Sequence, residues 1–312
     1  MKVCFVGIGS IAKRHIKNLC DICKERNIDI TIDALRRNNT REKDFPKAIN
    51  EIYTLISCLP SDYDIIFLTN PTEYHADMLC KLHEKAKHFF VEKPIATLNT
   101  LDKVSNIKYR SDSVYYVACP LRYTKIIQYI KNNIDIDTVK SVRCISSSYL
   151  PDWRPGVDYR DTYSAHKELG GGVDLDLIHE WDYLTYLFGL PTKLKMFSGK
   201  ISDLEIDSND YAIYIAEYSN NMIAELHLDY FGRKSIRKIE LITDKDTIIC
   251  DLIDSEIQYM RSGEVIDFSE KRDDFQKREL ECFIDMIKKG INSSNDILNA
   301  VKVLNLTQGF CE

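Results

Sequence analysis

The 312-residue sequence predicts an α/β chain in two parts: a doubly wound parallel sheet, then an α+β domain with an open, largely antiparallel sheet. Three observations predict this. Up to residue 119, short unbroken apolar runs alternate with helix-length amphipathic stretches, the pattern of strands buried on both faces and joined by crossover helices. From residue 120 onward, longer segments alternate apolar with polar residues, as half-exposed antiparallel strands do. A glycine turn follows the first apolar run directly and opens a helix. The expected domains are therefore 1–119 and 120–312.

In the first part, strands are expected at 3–6, 28–35, 53–58, 65–69, 89–92 and 114–119. Segment 28–35 alternates Ile28, Ile30 and Ile32 with Asp29, Thr31 and Asp33, which predicts an edge position or one solvated face. In the second part, a helix at 124–132 precedes strands at 138–148, 192–201, 210–219, 222–231, 235–243, 247–253 and 256–260. Tight polar turns such as Asn220-Asn221 and Asp244-Lys245-Asp246 join several of them. One helix, 172–188, interrupts this sheet, and two more, 273–289 and 294–309, follow it.

The composition, 44% hydrophobic and 29% charged, excludes a disordered chain and a disulfide-stapled miniprotein. No apolar run approaches the roughly 20 residues that span a bilayer. Residues 1–6 run straight into the glycine turn without the features of a secretory signal, so the cytoplasm is the expected compartment. The net charge of −6 is spread along the chain with no basic tract, and no nucleic-acid or membrane partner is expected. Ten cysteines fall singly in apolar settings such as Cys4, Cys58, Cys119 and Cys250 and read as reduced core thiols. Cys20 and Cys23 form the one C-x-x-C, inside a helical stretch and with no second pair at metal-binding spacing.

Four segments carry the chemistry. Gly7-Ile8-Gly9-Ser10-Ile11-Ala12 has the G-x-G-x-x-G/A form between a strand and a helix. The first glycine permits the tight turn, the second lets backbone amides approach a pyrophosphate, and small Ala12 lets helix pack on strand, so a dinucleotide is the expected ligand. Its ribose would meet the end of the second strand, where Arg36 and Arg37 stand and Asp33 falls two or three residues early. That favours NADP over NAD.

Thr69-Asn70-Pro71-Thr72-Glu73-Tyr74-His75 follows the fourth buried strand, beside the cofactor. Asn70 and Pro71 read as a rigid turn, Thr72 as a helix cap, and His75 as a structural or phosphate-facing residue rather than a base. Glu92-Lys93-Pro94 follows the fifth strand, at the same carboxyl edge. Lys93 there could bond a substrate hydroxyl beside a nicotinamide, with partial burial depressing its pKa. Finally, Gly170-Gly171-Gly172 opens a helix that sets Asp176, His179 and Asp182 on one stripe, so Asp176 could orient His179 as a general acid/base. The plain alternatives are a structural glycine turn, a surface lysine and a helix-surface His/Asp pair. An Asp-x-x-His pair lacks the further ligands a metal needs, so no metal is expected.

GIGSIAKRH, TNPTEYH, VEKPI and LGGGVDLDLIHEWDYLTYLFG, in this order and followed by an antiparallel sheet, resemble the Gfo/Idh/MocA family of NAD(P)-dependent oxidoreductases over nearly the whole chain. The resemblance implies a Rossmann domain and a second domain whose open sheet makes homodimer or homotetramer contacts. It also implies a sugar, inositol or sugar nucleotide as substrate, and the catalytic group Lys93, Asp176 and His179. Many members place the aspartate four residues before the histidine, whereas position 175 here is leucine and Asp176 precedes by three. Leu121-Arg122-Tyr123 is similar to the family's arginine-bearing entry to the second domain. The loop 149–166, with Trp153, Arg154, Tyr159, Arg160 and His166, is suited to stack on a sugar and to bind an anionic substrate. Two other readings use the same scaffold: a cofactor-binding sensor or structural subunit without turnover, and a reductase of imine or C=C bonds.

Overall fold

Val3, Cys4, Phe5 and Val6 have no polar face, and they form the fully sheltered centre of a parallel sheet. The computed structural model describes residues 1–41, 43–291 and 295–311. The first sheet is built from β1 (Lys2–Val6), α1 (Ser10–Glu25), β2 (Thr31–Leu35), β3 (Ile49–Tyr53), β4 (Tyr63–Leu68), α2 (His75–Leu82), β5 (Ala86–Val91), α3 (Leu101–Ser105) and β6 (Tyr115–Val117). Its order is β3-β2-β1-β4-β5-β6, every pair parallel. The order reverses between β1 and β4, which opens a crevice at their carboxyl ends. Val6, Leu68 and Val91 are level in register, so the segments after β1, β4 and β5 emerge side by side.

Two expectations are corrected here. The strand expected at 53–58 is instead Ile49–Tyr53, and residues 56–58 form a 3₁₀ turn with Cys58 exposed. This strand is the sheet's edge, paired on one side only, so a continuous apolar run is not required of it. β2 lies between β1 and β3, buried beyond Thr31, and is neither an edge nor solvated. Its polar residue Asp33 tolerates burial because Tyr63 Oη donates at 2.7 Å and the Glu51 amide at 3.2 Å.

The second sheet follows α4 (Lys125–Asn133), whose first turn is capped by Thr124. It comprises β7 (Val139–Tyr149), then α5 (Val173–Asp176) and α6 (His179–Phe188), then β8 (Lys193–Gly199), β9 (Tyr211–Glu217), β10 (Ile223–Asp229), β11 (Phe231–Thr243), β12 (Thr247–Asp251), β13 (Glu256–Tyr259) and β14 (Val265–Asp267). The order is β14-β13-β12-β11-β7-β10-β9-β8, antiparallel except for β7 against β10. Alternation sends Val142, Cys144, Tyr214, Leu226 and Ile239 inward, while Ile215, Ile223 and Phe197 stand in solvent. The short strand β14 has no counterpart among the expected elements.

The chain then returns. α7 (Arg272–Lys289) packs on α1, so the first unit comprises Met1–Pro120 with Arg272–Val301 and the second Leu121–Lys271 with Lys302–Glu312. A division at 119 alone would leave α7 with the second unit. α8 (Ile297–Thr307) is the final helix; residue 294, its expected start, lies outside the described residues. Among the described residues no helix is long and apolar enough to cross a membrane.

Candidate active site

In the first unit, the turn after β1 is shaped by its neighbour across the crevice. Gly7 has φ +84°, and a Cβ there would stand 3.0 Å from the Asn70 backbone. Only glycine satisfies both conditions. Thr69 Oγ1 donates to the Gly7 carbonyl at 2.8 Å, bolting the loop after β4 to the loop after β1. Gly9 is the N-cap of α1, with no side-chain cap, no acid in the first turn and open space where a Cβ would be. The amides of Ser10, Ile11 and Ala12 thus stand at the positive end of a 16-residue helix, with buried Ala12 allowing it to sit close on the sheet. Asn70 Oδ1 is buried without a hydrogen-bond partner at this rim. An uncapped helix start and a side-chain-free turn together fit a dinucleotide pyrophosphate.

The neighbouring loops are braced by His75. Its Nδ1 lies 2.9 Å from the Pro94 carbonyl and its Nε2 2.8 Å from the Asn70 carbonyl, linking the segments after β5 and β4. Burial pushes this imidazole down, against the opposing pull of both carbonyls. Thr72 starts a 3₁₀ turn and does not cap α2 through its side chain. The Lys93-Pro94 bond is cis. Beside it, Glu92 Oε1 lies 2.5 Å from His15 Nε2 of α1.

At the ribose end, Arg36 follows β2, donates to the Thr40 carbonyl at 3.0 Å and lies over the Phe45 ring. Arg37 donates to Tyr74 Oη at 3.3 Å. Asp33 is mid-strand and 3% exposed, its oxygens engaged by Tyr63, Asn50 and Glu51.

In the second unit, the glycines serve close packing. A Cβ on Gly171 would stand 2.2 Å from the Tyr163 carbonyl, and Gly172 has φ +129°. The expected continuous helix 172–188 is broken: α5 ends at Asp176, and α6 begins at His179 after 3₁₀-type bonds from Ile178 to Leu175 and from Glu180 to Leu177. The three polar residues therefore do not lie along a single helix. Asp176 accepts from Tyr163 Oη and Tyr230 Oη, both at 2.6 Å. Burial and this carboxylate push both phenols up, which keeps them protonated as donors. Asp182 instead binds Arg122. Between 171 and 184, only His179 keeps partial exposure. Its helix is anchored on either side by Glu180 against Arg237 Nε at 2.7 Å and by Trp181 edge-on to Tyr214.

The loop residues divide. Trp153 Nε1 donates to Ser148 Oγ at 2.9 Å and its ring meets Tyr230 edge-on. Arg154 lies over the Tyr163 ring. Tyr159 Oη accepts from the Glu205 amide, and His166 Nε2 lies 2.8 Å from the Arg160 carbonyl. Arg160 is held by Asp158 and Glu205, which leaves Arg154 as the loop's remaining argument for an anionic substrate. Tyr163, Tyr230 and His15 were not singled out from sequence. Tyr163 lies in the aromatic loop and His15 within GIGSIAKRH, but only tertiary contact reveals what they touch.

Residues 1–118 match the family described as the oxidoreductase family with an NAD-binding Rossmann fold, and residues 127–249 match the GFO/IDH/MocA C-terminal domain. Myo-inositol 2-dehydrogenase of Thermotoga maritima is 22% identical over 310 residues, covering 93% of this chain and 89% of that protein. Levoglucosan dehydrogenase in complex with NADH and levoglucosan superposes at a TM-score of 0.83, with 16% identity over 99% of this chain and 95% of that one. UDP-N-acetylglucosamine 3-dehydrogenase from Acidithiobacillus ferrooxidans superposes at 0.78, with 16% identity and the same coverage. With both family models matched in order and a glycine turn built for a pyrophosphate, this chain belongs to the GFO/IDH/MocA family of NAD(P)-dependent oxidoreductases.

Proposed function

We propose that this oxidoreductase moves hydride between the nicotinamide and a hydroxyl or keto carbon of a sugar, inositol or nucleotide sugar, with Lys93 and His179 handling the hydroxyl proton. The observation that carries the reading is the level register of β1, β4 and β5, which sets Lys93 on the same carboxyl edge as the pyrophosphate turn. A bound dinucleotide supplies the hydride acceptor or donor. The protein's part is to hold it at Gly7, Gly9 and the first amides of α1, with Thr69, Asn70 and Pro71 forming the adjacent wall. His179 is the one partly exposed polar residue of its segment and can exchange a proton with substrate oxygen. Asp176, with both oxygens accepting tyrosine hydroxyls, fixes the loop residue Tyr163 beside Tyr230 rather than carrying a proton itself. Trp153, Arg154, Tyr159 and His166 form the substrate side in this reading, while Arg122, buried and forked onto Asp182, supports α6 instead. The relatives' names support the substrate class.

NADP is the favoured cofactor, because Arg36 and Arg37 follow β2 while Asp33 is occupied within it. The chain assembles as a homodimer or homotetramer through the outer face of the second sheet, where Phe197, Ile215 and Ile223 are exposed on neighbouring strands. All ten cysteines are unpaired, in keeping with a reducing compartment such as the cytoplasm.

The test is titration with NADH and NADPH, followed by turnover assays on sugars, inositols and nucleotide sugars. NADPH should bind tighter, by an amount that Arg36→Ala removes. Cofactor binding with no turnover on any such substrate would instead indicate the sensor reading, and failure to bind either cofactor would refute both.

A further inference from the structure

One buried contact beside the site is not used by this chemistry. His15 lies on the inner face of α1, 1% exposed, its ring 5.0 Å from Phe90 and 6.1 Å from Phe67. Its single polar contact is Nε2 to Glu92 Oε1 at 2.5 Å, and its Nδ1 is buried without a partner. An imidazole placed among phenylalanines with one nitrogen unsatisfied is a poor choice for packing alone, since an apolar residue of that volume would fill the space without the desolvation penalty. The Glu92 side chain is 14% exposed, and its amide continues the sheet by donating to the Leu68 carbonyl at 3.0 Å. The next residue is Lys93.

We propose that His15 and Glu92 are positioning residues for Lys93: the imidazole of α1 clamps the carboxylate in place, and the clamped negative charge holds the neighbouring lysine side chain and favours its ammonium form. The idea rests on the reading that Lys93 handles the substrate proton. His15 of α1 bonds the Glu92 carboxylate, and Lys93 of its own segment and His75 of the first turn of α2 are near enough to act on it electrostatically. Burial pushes the carboxyl up, but the His15 hydrogen bond and the electrostatics of its neighbours outweigh it, so the acid stays below the usual range. α1 thereby has two tasks. Its amino terminus faces the cofactor phosphates, and one and a half turns later its inner face sets the charge beside the proton-transfer residue.

The test has two readouts. In the cofactor-free protein, isotope-labelled, reductively methylated lysines are titrated by NMR, and the Lys93 signal is assigned with Lys93→Met. Glu92→Gln keeps an acceptor for His15 but removes the charge, and should move the Lys93 titration toward acid by about one pH unit. The alkaline limb of kcat/KM in the reduction direction, where the ammonium donates its proton to the keto oxygen, should move with it. His15→Leu should lower kcat about tenfold with cofactor Kd unchanged, and His15→Gln, which keeps an N–H donor, should recover most of the loss. An unmoved Lys93 titration in Glu92→Gln overturns the proposal. If that variant does not fold, equal kcat in His15→Leu and His15→Gln overturns it instead. Full activity in Lys93→Met would refute the proton-transfer reading itself, a separate result.

Discussion

Arg122 closes on Asp182 through two parallel hydrogen bonds, Nε to Oδ2 at 2.8 Å and Nη2 to Oδ1 at 2.7 Å, with Arg122 only 3% exposed. The fork matches the carboxylate geometry, and within the second unit the pair ties the 3₁₀ turn that precedes α4 to the first turn of α6. Removing the carboxylate takes from the buried guanidinium its bidentate, charge-neutralising acceptor. Asp182→Ala should therefore destabilise the protein by about 3–5 kcal/mol, and Arg122→Lys should recover little of an Arg122→Ala loss. Urea unfolding followed by far-ultraviolet circular dichroism measures both. A loss below about 1 kcal/mol for Asp182→Ala would mean that water reaches and solvates the arginine.

Lys93→Met should lower kcat by about two to four orders of magnitude while leaving the NADPH dissociation constant within about threefold of its original value. The split is the informative part. A variant that loses cofactor binding equally would assign the lysine to the dinucleotide rather than to proton transfer.

Gly7→Ala places a methyl 3.0 Å from the Asn70 backbone in a left-handed conformation. Strain of about 1–3 kcal/mol should appear as a lowered melting temperature, and NADPH affinity should fall because Asn70 and the turn must separate. Gly9→Ala meets open space and has no positive φ, so its stability should be nearly unchanged while the added methyl obstructs the phosphate. Comparing the two melting temperatures without cofactor distinguishes strain from obstruction.

His88 supplies a pH test. Burial, with help from nearby Lys87, pushes its imidazole down to about 4, and Nδ1 accepts the Val114 amide at 3.0 Å, which a protonated ring nitrogen cannot do. The folded value lies below the unfolded one of about 6.5, so the unfolded chain binds the proton more readily. This contribution is complete above about pH 6.5 and is lost as pH falls toward 4. Between about pH 7 and pH 4.5 the wild type should lose on the order of 2 kcal/mol more than His88→Gln. Equal losses in the two proteins would show that His88 is not kept neutral by the fold.

The parallel sheet was legible because its strands carry their signal locally: Val3 to Val6 and Ile65 to Leu68 are apolar throughout, as burial on two faces demands. Asp33 misled, since its alternation with isoleucines looks solvated until Tyr63 arrives from another strand. The edge strand and the break after Asp176 were missed for a related reason. An edge needs no continuous apolar run, and a helix is interrupted there where its carboxylate meets two tyrosines, one 13 residues before it and the other 54 after. The glycine turn, Lys93 and His179 could be named because their spacing is local. The Arg122 and Asp182 pair, 60 residues apart, could not.

The return of α7 to the first unit also orders events during synthesis. Glu279 accepts the Cys119 amide at 2.5 Å and the Tyr116 hydroxyl at 3.0 Å, and Phe283 packs against Phe67, Phe90 and Tyr116. Until those residues leave the ribosome, the cofactor domain lacks the Glu279 carboxylate that receives the Cys119 amide and the Tyr116 hydroxyl, and the Phe283 ring that covers Phe67, Phe90 and Tyr116. The nascent chain therefore passes through a long interval in which its amino-terminal domain is assembled but unsealed, the state in which chaperones bind and premature termination yields aggregate.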